Sequence, residues 1–230
     1  CENNGELFLL NKLNHSDNLN CIFDVGANIG TYSLLARDIN KKCLIFAFEP
    51  VPETFIGLQK KVSDKDIKTF NFALGSNIGQ EKMLIPKDSK LSTLLLDNSN
   101  LANKDDCKYV SVKIVTGDEF LKNKYELSRI SLLKIDTEGY ESEVLKGFRG
   151  IISRVNVIQF EYGKANLLSK YFLKDYFNDY YKEFHIGKLY PNGVYFYKKY
   201  EWDLDDFIGP NFVMVNRCRK DLYDLLSIKN

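Results

Sequence analysis

The chain of 230 residues lacks the features of disulfide-linked and membrane-spanning proteins. Its five cysteines are an odd number and none are spaced as C-x-x-C, which argues against a disulfide framework. No apolar run approaches the length of a membrane helix, and no secretory leader is visible in the sequence. We therefore expect a reducing, cytoplasmic environment and no transmembrane segment.

An excess of one charge is also missing. The 32 basic and 31 acidic residues leave a formal net charge of +1, and the basic residues are scattered in pairs such as Lys41-Lys42. No global field draws such a chain to nucleic acid or to an anionic membrane. We therefore expect no nucleic-acid partner.

The sequence does contain alternating apolar strands and amphipathic helices, which are typical of an α/β domain with a largely parallel sheet. The pattern predicts strands at 21–25, 43–48, 67–73, 131–136, 155–161 and 211–215, and helices at 30–39, 52–62, 140–147, 164–182 and from about 218. A hairpin is predicted at 185–198. The whole chain, 1–230, is predicted to be one domain, with an N-terminal lead-in at 1–18. Residues 74–125 read as an insertion with short strands near 81–85 and 110–115.

A glycine-punctuated turn, residues 26–30, follows the first predicted strand. Glycines there let the backbone approach a ligand closely, and Glu49, at the end of the next strand, suits two ribose hydroxyls. The dinucleotide pattern G-x-G-x-x-G is not met, because Asn28 replaces its middle glycine, and no phosphate-binding G-x-x-x-x-G-K-[ST] is present. A nucleoside without phosphate, S-adenosylmethionine, therefore suits the turn better than NAD. The alternative is a tight turn that binds nothing.

Acidic residues mark the ends of four predicted strands: Asp24, Glu49, Asp136 and Glu161. In open α/β sheets, ligands bind outside the carboxyl ends of the strands. We therefore expect these four carboxyl groups to gather along one edge of the sheet.

With these pieces in order, the chain resembles the FkbM family of S-adenosylmethionine-dependent methyltransferases. The resemblance is carried by residues 23–33, 47–50, 71–74, 133–141, 145–147, 159–161 and 211–213. It implies a class I methyltransferase fold, which is a Rossmann-like, seven-stranded, mostly parallel sheet with helices on both faces, here with a hairpin or loop region inserted after strand 3. It also implies O-methylation of a hydroxyl on a sugar, a glycolipid or another small molecule.

The resemblance implies a cofactor site at the ends of the first strands. Gly26, Asn28 and Gly30 would line the methionine end of the cofactor, and Glu49 would take the ribose hydroxyls. Strand 3 lacks the acid that many class I enzymes place near the adenine, so Asn71 or a backbone group would substitute. The predicted cofactor-binding residues are Asp24, Gly26, Ala27, Asn28, Gly30, Thr31, Glu49, Pro50, Asn71, Ala73 and Asp136.

Methyl transfer to an alcohol calls for a general base or a metal to remove the hydroxyl proton. Asp136 and Glu138 are the first candidates, followed by Glu161 and by His185. Each has a structural alternative: ordering a loop or capping a helix for the first two, an ion pair for Glu161, and sheet packing for His185. A divalent metal, Mg²⁺ or Ca²⁺, held by Asp136, Glu161 or both is a further option.

Tyrosine and phenylalanine are crowded in the last third of the chain, and residues 164–198 are predicted to cover the acceptor side. Contacts with a sugar ring are expected between Tyr190 and Tyr197, whereas the aromatics of 171–181 recur at helical spacing and are expected to pack on the sheet. A lid contact at 92–94 is a weaker option. The expected acceptor is a hydroxyl of a small molecule or glycan. Two rival interpretations stay open, a nucleic-acid methyltransferase on the same fold and a non-catalytic cofactor-binding module.

Overall fold

The computed structural model describes residues 4–86, 107–124, 127–209 and 211–228, so the lid contact expected at 92–94 lies outside the described residues. The described strands are β1 (Cys21–Val25), β2 (Leu44–Phe48), β3 (Lys68–Phe70), β4 (Ala73–Leu74), β5 (Gly79–Pro86), β6 (Cys107–Val115), β7 (Ile130–Ile135), β8 (Val155–Glu161), β9 (Phe184–Tyr190), β10 (Gly193–Tyr197) and β11 (Asn211–Asn216). The described α-helices are α1 (Glu6–His15), α2 (Thr31–Ile39), α3 (Pro52–Val62), α4 (Gly117–Lys124), α5 (Glu141–Lys146), α6 (Asn166–Ser169), α7 (Leu173–Tyr180) and α8 (Lys220–Leu226).

In the described part of the chain, eight strands form the main sheet in the order β10-β9-β11-β8-β7-β1-β2-β3. The strands from β8 to β3 run parallel, β11 is antiparallel to both β8 and β9, and β10 is antiparallel to β9. The expected mostly parallel sheet is confirmed, but the expected count of seven strands is wrong, because the hairpin adds β10 outside β9. The strand order reverses between β1 and β7, and ligands bind at such a switch point.

Helices cover both faces of the sheet because both sets of alternating side chains in its central strands are mostly apolar. On one face, Phe23 and Ile135 belong to a core that includes side chains of α4, α5 and α7. On the other face, Ile22 and Leu132 belong to a core that includes side chains of α1, α2 and α8. A ligand can therefore enter at the carboxyl ends of the central strands, between the two helical layers.

A smaller sheet with the order β4-β6-β5 is built mainly from the segment predicted as an insertion. Strand β6 pairs antiparallel with the whole of β5, and both strands are longer than the sequence predicts. The single strand expected at 67–73 is wrong, because β3 joins the main sheet and β4 joins the smaller one. The chain therefore leaves the main sheet directly beside the ends of β1 and β2.

Two helices were not predicted, and one was predicted too long. Helix α1 lies in the expected N-terminal lead-in, and α4 lies at the end of the expected insertion. The helix expected at 164–182 is two helices, since Lys170 adopts a left-handed conformation with φ 54° after α6. Among the described residues, no helix is both long enough and apolar enough to cross a membrane.

Candidate active site

A cleft of about 290 Å³ opens where β1, β2, β7 and β8 end. Its walls come from the β1–α2 turn, the β2–α3 segment, the smaller sheet, the loop after β7 and the end of β8. The lining residues are Val25, Gly26, Asn28, Phe48, Glu49, Pro50, Thr54, Ala73, Leu74, Met83, Asp136, Thr137, Glu138, Tyr140 and Glu161. Of the four carboxyl groups expected at one edge of the sheet, Glu49, Asp136 and Glu161 line this cleft, whereas Asp24 is fully buried and does not.

Two glycines of the turn between β1 and α2 lie where a side chain would collide with a neighbouring element. Gly26 has a φ of +80°, and a Cβ built on it would stand 1.8 Å from the carbonyl oxygen of Asp136. Gly30 has a φ of +83°, and its Cβ would stand 2.6 Å from Leu58. Asn28 is also left-handed, with φ 50°, a region that asparagine tolerates better than most residues.

Glu49, which follows β2, accepts hydrogen bonds from two backbone N–H groups. One carboxylate oxygen accepts the backbone N–H of Asn28 at 3.0 Å, and the other accepts the N–H of Val51 at 2.8 Å. Burial raises the pKa of Glu49 to about 7, although these two N–H groups oppose the rise. The carboxyl group is thus oriented by the backbone and is poised to change its charge near neutral pH.

A buried lysine connects the turn to the opposite wall of the cleft. The Lys134 ammonium lies 3.3 Å from Asp24 Oδ1 and 3.2 Å from Asp136 Oδ2. Burial alone would lower the pKa of Lys134, but the charges of Asp136 and Asp24 outweigh burial and raise that pKa above its ordinary value. The other oxygen of Asp24 accepts the Ser33 hydroxyl at 2.7 Å. Lys134 is therefore charged, and Asp24 lies beneath the turn rather than in the cleft.

Asp136 and Glu161 form a hydrogen-bonded pair of carboxyl groups across the ends of β7 and β8. Burial and then the negative charge of Asp136 raise the pKa of Glu161 to about 9. Burial also acts to raise the pKa of Asp136, but Lys134 and the hydrogen bond from Glu161 hold it below its usual range. At neutral pH the pair therefore consists of an ionised Asp136 and a protonated Glu161 that donates to it.

Glu138 is presented to the cleft by a tight loop between β7 and α5. Its backbone is left-handed, with φ 54°, and Gly139 follows with φ 99°. Buried Glu141 holds this loop, because one of its oxygens accepts the Thr137 N–H at 2.9 Å, the Thr137 hydroxyl at 3.0 Å and the Gly139 N–H at 3.2 Å. Burial, followed by the charges of Asp136 and Glu141, raises the pKa of Glu138 to about 7. Glu138 is thus a carboxyl group that can accept a proton near neutral pH.

Asp136, Glu138 and Glu161 each offer one oxygen within 4.8 Å of the others. Oxygen ligands of a divalent cation bind at about 2.0–2.6 Å from the ion, so a cation between these groups is sterically feasible. Acidic groups are common at this spacing without a metal, and the geometry is equally explained by the shared proton. The spacing of these three oxygens therefore does not by itself indicate a metal.

The predicted site residues fall into two groups. Those that line the cleft are Gly26, Asn28, Glu49, Pro50, Ala73, Asp136, Glu138 and Glu161. Of those that do not line it, Asp24, Ala27 and Gly30 belong to β1 or to the turn after it. The Thr31 hydroxyl accepts a hydrogen bond from Lys61, and the Asn71 amide donates to the carbonyl oxygens of Glu49 and Pro50. The Asn71 amide nitrogen therefore supports the backbone that follows β2.

His185 lies away from these residues. Its ring packs 4.3 Å from the ring of Tyr223, and its Nδ1 lies 3.4 Å from Arg217. Burial and then the charge of Arg217 lower the pKa of His185. The structure places His185 in the sheet-packing position that was its alternative, outside the residues that line the cleft. No residue of 164–198, a fully described segment, lines the cleft, and its role as acceptor cover stays a prediction.

Several residues of the site were not assigned roles from the sequence. Lys134 carried a usable signal, because a lysine inside an otherwise apolar strand needs buried carboxylate partners. Thr54, Met83 and Tyr140 line the cleft without any such signal, since each resembles an ordinary residue of its helix, strand or loop. Their places depend on how the smaller sheet and the β7–α5 loop pack beside the main sheet.

Comparison with known proteins finds methyltransferases. The family described as Methyltransferase FkbM domain matches residues 24–184. Hexuronic acid methyltransferase AglP of Haloferax volcanii is 29% identical over 140 residues, which cover 60% of this chain and 53% of that protein. Methyltransferase 1 of Beauveria bassiana is 29% identical over 143 residues, which cover 55% of this chain and 57% of the relative. The chain thus spans about half the length of the curated relatives it matches.

A solved structure shows the same fold. The crystal structure of Methyltransferase FkbM from Methylobacillus flagellatus aligns with a TM-score of 0.51 at 16% identity, covering 86% of this chain and 44% of that one. At this identity the likeness shows the fold, that of class I methyltransferases. Because the family match takes in well over half of the 230 residues, the chain belongs to the FkbM family of S-adenosylmethionine-dependent methyltransferase domains.

Proposed function

We propose that this domain transfers the methyl group of S-adenosylmethionine to a hydroxyl group of a sugar, a glycan or a related small molecule. The observation that carries the proposal is the cleft itself, in which the turn at Gly26 and the Glu49 carboxyl group face the carboxyl pair of Asp136 and Glu161. The relative AglP, whose name specifies a hexuronic acid, supports a sugar as the acceptor.

The cofactor would lie along the first half of the cleft. Glu49, in its ionised form, would accept hydrogen bonds from the ribose hydroxyls, as a carboxylate has acceptor sites for two donors. The amino acid end would lie over the turn of Gly26 and Asn28, where the backbone approaches closely. The sulfonium would then point toward the ionised Asp136, whose negative charge suits a cation.

In the reaction, the acceptor oxygen would attack the methyl carbon as the bond from carbon to sulfur breaks. The sulfur keeps the electron pair, the product is S-adenosylhomocysteine, and the hydroxyl proton must go to a base. Glu138 suits this role best, because its pKa of about 7 lies near the operating pH. Glu161 already holds a proton at that pH, and Asp136 is held as a weak base by Lys134.

The test is to incubate the protein with S-adenosylmethionine labelled in its methyl group and a panel of uronic acid glycosides, neutral hexosides and RNA. The proposal expects label on a saccharide in a linkage stable to mild alkali, as in a methyl ether. The Glu138→Gln variant should transfer label about 100-fold more slowly or worse, the usual contribution of a general base. Glu119→Gln, on helix α4 and not among the residues that line the cleft, is the matched control.

The other outcomes separate the rivals. Alkali-labile label would mean a methyl ester, and thus a carboxylate acceptor in place of a hydroxyl. Label on RNA alone would favour a nucleic-acid methyltransferase. Cofactor binding without transfer to any acceptor, unchanged by Asp136→Asn, would favour a non-catalytic module.

A further inference from the structure

Lys134 lies inside the sheet, where an ammonium group is costly to bury. It stands in β7 between Asp24 of β1 and Gln159 of β8, and its side chain is 6% exposed. Replacing a buried ion pair by well-packed apolar side chains is often neutral or stabilising. The lysine is therefore better explained by what its charge holds in place than by the stability it adds.

The contacts of Lys134 run from helix α2 to the cleft. Its ammonium lies 3.3 Å from Asp24 and 3.2 Å from Asp136, and Asp24 in turn accepts the hydroxyl of Ser33, which belongs to α2. Among the described residues, Asp24 Oδ1 has no hydrogen-bond partner, so its pairing is this ion pair. The Lys134 ammonium thus pairs with two carboxylates, that of Asp24, which is fully buried, and that of Asp136, which lines the cleft.

The ammonium itself is held from the side. The ring of Tyr32 lies 5.2 Å from Lys134 Nζ, and the Tyr32 hydroxyl donates to Gln159 at 3.2 Å. The Gln159 amide donates in turn to buried Glu6 of helix α1 at 3.1 Å. The Tyr32 ring therefore flanks the ammonium on one side and is itself held in place through Gln159.

We propose that Lys134 is a positioning residue that holds the Asp136 carboxylate against Glu161 at the cleft and links it to Asp24 beneath the cofactor turn. The assignment rests on the function proposed above, since it gives Asp136 a part in the reaction. The Asp136 side chain is 41% exposed, so without the ammonium it can turn into solvent and away from the repelling charge of Asp24. Supporting groups of this kind keep reacting groups in productive geometry.

The test separates positioning from the neutralisation of a buried charge. Lys134→Met should lower the Tm strongly, because Asp24 is left buried and unpaired. The double variant Asp24→Asn/Lys134→Met removes both charges and should recover most of that Tm. Its kcat on the saccharide that the wild type methylates should stay at least about tenfold low, with the acceptor KM changed by less than about threefold, because a displaced group slows the chemical step.

A control and a second measurement settle the remaining outcomes. Arg37→Met removes a buried cation that donates to the carbonyl oxygens of Lys41 and Asp66, and should lower the Tm without lowering kcat. Recovery of kcat together with Tm in the double variant would overturn the assignment. If the wild type methylates no saccharide, the proposed function fails, and a crystal structure of the double variant decides the assignment: Asp136 turned away from Glu161 supports it, and an unmoved Asp136 overturns it.

Discussion

The affinity for the cofactor should depend on pH through one carboxyl group, that of Glu49. The group is 5% exposed, and its pKa of about 7 means that it is partly protonated at neutral pH in the free protein. Ribose hydroxyls donate hydrogen bonds, so they favour the ionised form, which accepts at both oxygens. Binding should therefore release a proton when the pH is below about 7.

The size of the effect follows from that pKa. With a pKa of about 7, roughly one Glu49 in eleven is ionised at pH 6 and about ten in eleven are ionised at pH 8. If only the ionised form binds well, the Kd for S-adenosylhomocysteine should be about tenfold higher at pH 6 than at pH 8. That difference corresponds to about 1.4 kcal/mol of binding free energy.

Calorimetric titration with S-adenosylhomocysteine at pH 6, 7 and 8 measures this slope, and buffers of different ionisation enthalpy report the released proton. Glu49→Gln should bind weakly with no slope between pH 6 and pH 8. Glu138→Gln is the matched control, because Glu138 also has a pKa of about 7 in the cleft and should leave the slope unchanged. A wild-type Kd that is flat with pH, or a slope that survives in Glu49→Gln, would refute the reasoning.

Two further substitutions probe the turn and the core. Gly26→Ala should lower the affinity for S-adenosylhomocysteine at least about tenfold. The left-handed conformation alone costs about 1–2 kcal/mol for alanine, and the new Cβ would collide with the carbonyl oxygen of Asp136. The control Gly79→Ala, whose Cβ would have no atom within 4 Å, should bind normally in the same titration. Phe120→Ala should lower the free energy of unfolding by about 3–5 kcal/mol in urea denaturation, since this buried ring lies at the centre of an aromatic cluster. The half-exposed Ile56→Ala should change it by no more than about 0.5 kcal/mol, and an equal loss in both variants would contradict this account of the core.

The central strands could be predicted from the sequence because they are buried on both faces. Strands β1 and β8 and helix α3 have the predicted bounds. Helix α3 begins at Pro52, and proline is favoured in the first turn of a helix. The clustering of strand-end acids followed from the parallel arrangement alone. These features depend on local composition and on one topological rule.

What could not be predicted depends on tertiary contacts. The leucines of helix α1, such as Leu10, are buried because the sheet, α2 and α8 together form a core with them. The break at Lys170 uses a left-handed lysine, a residue that gives no turn signal. In the site, the pairing of Lys134 with two carboxylates requires that β1 and β7 be neighbours, and the loop support by Glu141 requires the fold of that loop.

The most direct test of the central claim is to compare the binding of S-adenosylmethionine and NAD to the wild-type protein by calorimetry, with Glu49→Ala alongside. The account predicts that S-adenosylmethionine binds at one site, that NAD does not compete for it, and that Glu49→Ala loses the binding. Tight binding of NAD, or S-adenosylmethionine affinity that is unaffected by Glu49→Ala, would contradict the assignment of the cleft as the cofactor site.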